Sequence, residues 1–197
     1  MTINVASVTG ATQGIYARHL GAGPLQITTS PTSTVMANGG LGIIASSATS
    51  LAISTGNVSA TGGGGILAVN TGVGATSVSA SGVIAGGMGT GVFVQNAAIA
   101  TQDVTANVAQ VTGTQGGITA YNNGSGSLSV SASGQVTGTA NTYDGIRARN
   151  AAKGVNLTVL TTNGAGVSGA NYGVSAYNQG TGFTSVTVAG PAACRAA

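Results

Sequence analysis

The sequence predicts an all-β protein, a right-handed parallel β-helix of about seven coils of ~26 residues with three short strands per coil. Three observations lead there. The first is a repeat. A glycine, a β-branched aliphatic, any residue, Ala or Val, any residue, then usually Asn recurs from Gly14, Gly42, Gly65, Gly91, Gly117, Gly145 and Gly173, at steps of 28, 23, 26, 26, 28 and 28 residues. The second is composition: 35 glycines with no G-X-Y period, and 4% charged and 4% aromatic residues, exclude collagen and a charge-driven disordered chain. The third is alternation of apolar and small polar residues in every segment, which is a strand signal and not a helical one.

The elements follow in chain order. Ile3–Val5 and Val8–Gly10 read as the last two strands of an incomplete coil, residues 1–13. Each full coil then has an anchor strand after its glycine, a second segment and a third. The second segments are Leu25–Thr29, Leu51–Ser54, Thr76–Ser79, Gln102–Thr105, Leu128–Ser131, Leu157–Leu160 and Thr184–Thr187. The third include Val35–Asn38, Val58–Ala60, Val83–Ala85, Val108–Val111, Val136–Gly138 and Val167–Gly169. One domain, 1–190, is expected, with a tail at 191–197.

Stacked coils should align like residues inside. One expected column is Ile15, Ile43, Ile66, Val92, Ile118, Ile146 and Val174, and a second is Ala17, Ala45, Ala68, Val94, Ala120, Ala148 and Ala176. A third is Ile27, Ile53, Val78, Val104, Val130, Val159 and Val186. β-Branched residues suit the pleated wall, and the alanines imply closely approaching walls. Five positions after each anchor stand His19, Ser47, Asn70, Asn96, Asn122, Asn150 and Asn178. Asparagine tolerates the left-handed conformation of a sharp corner, and stacked amides can hydrogen-bond between coils. The five asparagines are therefore expected to form a structural ladder, with His19 a satisfied or solvated corner residue on its first rung.

Function classes narrow quickly. The net charge of +3 comes from Arg18, Arg147, Arg149, Lys153 and Arg195 against Asp103 and Asp144, and reflects scarcity of acids. Arg147 and Arg149 are the one tight basic pair, too few for a phosphate-neutralising surface, so no nucleic-acid partner is expected. A single cysteine, Cys194, forms no intrachain disulfide, and one His with one Cys makes no metal centre. No apolar run approaches the ~18 residues of a membrane span. The first residues lack the basic and apolar regions of a signal peptide. The chain begins inside a repeat, so it is expected to be a segment of something longer.

The stretch Val8–Ala17 resembles the T-G-x-x-x-G-I-G nucleotide loop of short-chain dehydrogenases. Tyr16 replaces the final glycine, however, and the same phrase returns at Val111–Ala120. A phosphate loop opens a helix once; a structural corner repeats. No cofactor is expected. A polysaccharide-active enzyme needs paired carboxylates or a carboxylate-bound cation, and Asp103 and Asp144 fall in different segments, more than a coil apart. One histidine leaves almost no nucleophile–base arrangement. The chain is expected not to be an enzyme.

Two surfaces remain. Beside the third column run Thr28, Ser54, Ser79, Thr105, Ser131, Leu160 and Thr187, preceded by Gln26, Ala52, Ser77, Asp103, Ser129, Thr158 and Ser185. This flat hydroxyl face suggests an ice or glycan binder, although it contains no Thr-x-Thr pair and serine lacks the methyl that fixes threonine rotamers. Next to the anchors run Tyr16, Ile44, Leu67 with Val69, Phe93, Tyr121 and Tyr177. Ile44, Leu67, Val69 and Phe93 should form a contiguous apolar strip, either a contact surface or one covered by the Gly21–Pro31 connection. Asn-x-Ser/Thr at Asn57, Asn123 and Asn156 is expected by chance in this composition.

The recurring Gly-Ile-x-Ala-x-Asn, Leu-x-Val and Val-x-Gly segments resemble the passenger repeats of bacterial autotransporter (type V secreted) proteins and of filamentous-haemagglutinin-like adhesins, from Ile3 to about Val188. The resemblance implies export through an outer membrane and display at the cell surface. The expectation is a non-enzymatic structural or adhesin segment with a host-surface or glycan ligand, or self-association through the coil ends or the apolar strip. The tail at 191–195 is expected to shield one end.

Overall fold

A computed structural model describes residues 1–190 and the backbone of Ala192–Ala193; Cys194 and Arg195 lie outside the described residues. Those residues form a β-solenoid of about seven turns built from parallel strands, with no helix among them. Each coil contributes a strand to three faces. The first face holds the anchor strands Ile15–His19, Ile43–Ser47, Ile66–Asn70, Val92–Asn96, Ile118–Asn122, Ile146–Asn150 and Val174–Asn178, paired in coil order as one seven-stranded sheet. The second and third faces merge into a 14-stranded sheet, because Thr76–Gly86 and Val104–Gly113 run round their shared corner without a break. The third-face strand of the last coil is Ala192–Ala193, paired with Val167–Ser168, so the ladder reaches into the stretch expected as tail.

The Ile15 and Ala17 columns form as expected, every member facing its counterpart in the next coil. A third-face column of Val8, Val35, Val58, Ile84, Val111, Val136 and Val167 closes the core. Ile84, not Val83, is its inward member; Val83 is exposed. The anchor glycines recur because this column leaves them no room. A Cβ on Gly117 would lie 2.5 Å from Val136 Cγ1 and 2.6 Å from the Gly145 carbonyl oxygen, and Gly14 meets Val35 and Gly42 at the same distances.

The third column differs from expectation at one coil. Val78 faces Ala106, and Val104 faces Thr76 and Leu128, so the column is Ile27, Ile53, Val78, Ala106, Val130, Val159 and Val186. The slip is two residues. Gln102 stands at the same distance from Gly91 as Leu128 from Gly117, but pairing it there would put an amide inside an apolar column. A two-residue shift preserves the in–out parity of the strand. The extra residues form a turn at Ala97–Ala100, closed by the Ala100 amide on the Ala97 carbonyl (3.1 Å), with Ala100 buried.

The asparagine ladder runs through four residues rather than five. Nδ2 of Asn96 donates to Oδ1 of Asn122 (2.6 Å), Asn122 to Asn150 (2.7 Å) and Asn150 to Asn178 (3.0 Å). Asn70 faces Asn96 in register but closes its own turn, donating to the Gly74 carbonyl (2.8 Å) and accepting from the Gly72 amide (2.9 Å). Asn96 Oδ1 is taken instead by the Asn123 amide at 2.7 Å. The expected left-handed conformation is also absent from the ladder. Among the described residues other than glycine, only Asn163 (φ 57°) adopts it, and the ladder residues end extended strands. Asparagine is used here for its side chain: it caps the turn and bonds along the axis. Ser47 does the first task alone, accepting from the Thr49 amide and donating to the Ser50 carbonyl. His19, expected to be satisfied or solvated, has its Nε2 buried without a partner, against the backbone of Gly21.

Candidate functional site

The first-face strands turn Ile/Val, Ala and Asn inward, so two residues per strand face out. Parallel pairing lines these up in two files along the rod. One is Tyr16, Ile44, Leu67, Phe93, Thr119, Arg147 and Ser175; the other is Arg18, Ser46, Val69, Gln95, Tyr121, Arg149 and Tyr177. Ile44, Leu67, Val69 and Phe93 do adjoin one another, each half-exposed. The Gly21–Pro31 segment does not cover them, because its central Leu25–Thr29 is a second-face strand with Leu25 and Ile27 fully buried.

The two halves of this face differ. Between Tyr16 and Arg18 of the first coil and Phe93 it is mostly apolar, with Ile44, Leu67 and Val69. Past Phe93 it becomes aromatic and cationic. Phe93 meets Tyr121 of the next coil edge to face, ring centroids 5.7 Å apart and planes at 83°, the arrangement aromatic quadrupoles favour. The Arg149 guanidinium lies 5.7 Å from the Tyr177 ring centroid, and its Nη2 donates to Gln179 Oε1 at 3.2 Å. Arg147 Nε is 3.9 Å from the buried Asp144, whose Oδ1 accepts from Asn171 Nδ2 at 3.0 Å. Three depressions border these groups. One of about 170 Å³ lies between Phe93, Tyr121, Tyr143, Asp144 and Arg147; one of about 380 Å³ between Gln95, Tyr121, Asn123 and Arg149; and one of about 290 Å³ between Arg147, Arg149, Ser175 and Tyr177.

Aromatic and cationic chemistry collects on this side of the molecule. Of five tyrosines and two phenylalanines, Tyr16, Phe93, Tyr121 and Tyr177 lie on the first face. Tyr143 and Tyr172 stand at its leading corner and Phe183 at its trailing turn. All the described cations follow suit: Arg18, Arg147 and Arg149 point outward from the face, and Lys153 sits in the turn after Asn150. The sequence showed the tyrosine file and the Arg147–Arg149 pair separately. The register that interleaves them, and the approach of Tyr143 and Asp144 from the neighbouring corner, come from the coil.

The second face is hydroxyl-rich, with a corrected register. Thr105 takes the place expected for Asp103, and Asn107 that of Thr105, so Ser77–Thr105–Ser129 and Ser79–Asn107–Ser131 are the central neighbours. Asp103 lies before this strand and accepts from the Ser127 amide (2.7 Å), while Asp144 borders the first face. The two carboxylates serve different corners. Asn57, Asn123 and Asn156 each bond to a neighbouring coil, to the Val83 amide, the Asn96 carbonyl and the Phe183 amide. Val8–Gly10 and Ile15–His19, the dehydrogenase-like stretch, are two strands of the solenoid. No protein-family model matches the chain, and neither a curated protein nor a solved structure matches it.

Proposed function

We propose that this chain is a non-enzymatic segment of a secreted or surface-displayed protein, a stiff rod of the passenger or adhesin kind whose first face makes the contacts. The observation that carries this reading is the asymmetry of the surface. The rod carries exposed apolar residues elsewhere, among them Met36, Val73, Ile99 and Leu160, but it gathers its aromatic rings, its described arginines and a contiguous half-exposed apolar strip on and beside one face. Contiguous apolar surface rimmed by polar groups is what contact sites present. Rigidity supports the same reading, since each coil rests on the next and the rod holds a long face in fixed register.

The test is adherence. Beads coated with the purified chain are scored on epithelial monolayers and on bacterial biofilm matrix, beside a variant carrying Leu67→Ser and Phe93→Ser and one carrying Thr105→Ala and Ser129→Ala. Loss of adherence in the first variant alone is expected. Equal adherence of all three would sink the proposal.

A second reading, ice binding, is supported by the hydroxyl-rich second face, where Ser77, Thr105 and Ser129 stand in register beside Ser79, Asn107 and Ser131. Freezing hysteresis abolished by Thr105→Ala and Ser129→Ala would favour it.

A further inference from the structure

Resting on the reading that the first face is the contact surface, we propose that its C-terminal half binds an acidic polysaccharide. Arg149 receives a uronate carboxylate, and Tyr121 and Tyr177 are the sugar platforms on either side of it. These three residues face one another across consecutive coils. Successive coils lie ~4.8 Å apart, so a linear polymer along the rod meets ring, guanidinium and ring in order. The ring surface of Tyr121 turned away from Phe93, and that of Tyr177 turned away from Arg149, accept the C–H side of a pyranose. The guanidinium fork matches a carboxylate in two parallel hydrogen bonds.

Arg149 is already aimed. Its contact with Gln179 and its position over Tyr177 fix the side chain from one side, which lowers the ordering cost of binding. Among the described residues no carboxylate pairs with it, whereas Arg147 is engaged by Asp144. Both larger depressions of this face border Arg149, leaving room on its two sides. Gln95, one coil before Tyr121 in the same file, offers an amide to sugar hydroxyls.

Charge and topology select this ligand class. The described cations all border this face and the chain has two acids, so an anion is favoured. A nucleic acid would need several phosphate-neutralising cations in a row, and one free arginine between rings does not provide them. An acidic peptide adding as a strand needs an open sheet edge, and the strands that carry Tyr121 and Arg149 are paired on both sides; such a peptide would reach Tyr177 alone.

The test is calorimetric titration of the whole chain with a galacturonate hexamer, its methyl ester and an oligothymidylate of similar length. Binding of the hexamer is expected to weaken with salt and to fall about tenfold in Arg149→Gln, in Tyr177→Ala and with the ester. It should be unchanged in Thr105→Ala, with melting curves confirming that each variant folds. No binding of the hexamer, equal binding of the ester, tighter binding of the oligothymidylate, or an unaffected Arg149→Gln would each overturn the proposal. Adherence of the Leu67→Ser, Phe93→Ser variant separates the two ideas. If adherence is lost there while the hexamer does not bind the parent chain, the ligand class is wrong and the contact face stands. If adherence persists, the face itself is wrong.

Discussion

Replacing Asn122 by alanine should be among the most destabilising single substitutions in this protein. Asn122 is fully buried, and its side chain makes four hydrogen bonds. It donates to Asn150 Oδ1 and to the Gly126 carbonyl, and it accepts from Asn96 Nδ2 and the Gly124 amide. Truncation leaves Asn96 Nδ2, Asn150 Oδ1 and the Gly124 amide without this partner, while the Gly126 carbonyl keeps the Val155 amide (3.1 Å). A buried group left without its partner costs about 1–3 kcal/mol, and a water entering the vacated space recovers part of this. The expected loss is about 4 kcal/mol. At the end of the ladder, Asn178 donates to the Val155, Gly182 and Phe183 carbonyls at 3.3 Å from a half-exposed position. Solvent replaces those bonds, but Asn178 Oδ1 also accepts from the buried Asn150 Nδ2 (3.0 Å) and the Gly180 amide (2.9 Å), so Asn178→Ala should cost about 2 kcal/mol. Urea titration followed by far-UV circular dichroism measures both. The two variants unfolding at the same urea concentration would refute the idea that amides along the axis help hold the coils together, and the parent midpoint in Asn122→Ala would do so outright.

The other predictions probe separate features. Gly117→Ala places a Cβ against Val136 and the Gly145 carbonyl and should cost about 3 kcal/mol, read as a lowered melting temperature; an unchanged melting point would remove the steric account of the anchor glycines. The register slip is tested at one position. Gln102→Lys, on the exposed turn, should stay within about 0.5 kcal/mol, whereas a loss of about 3 kcal/mol in urea, as expected of a charge entering the column of Leu51 and Leu128, would restore the unslipped pairing. Phe93→Ala should lose about 1 kcal/mol with its edge-to-face contact to Tyr121, and a double-mutant cycle with Tyr121→Ala isolates that term.

The sequence by itself determined the solenoid. Its seven glycine-led repeats, the Ile15 and Ala17 columns and the outward aromatic file were all readable, because strand alternation has a period of two and each coil reuses the same plan. The anchor glycine was legible as a recurrence but not as a cause. What forbids a side chain there is the third-face column, which reaches Gly117 from Val136, nineteen residues further along the chain. Tertiary structure alone decided the register at Val104. Local spacing favoured Gln102, and only the cost of burying its amide beside Leu128 chose otherwise. The same holds for the ladder, where the Asn123 amide takes the Asn96 oxygen and Asn70 turns back to its own corner. The interleaving of Tyr121, Arg149 and Tyr177 belongs here too. Spacing along a strand is a local property, whereas which coil a residue faces depends on every turn between them, and turns of unequal length obey the core they must close around.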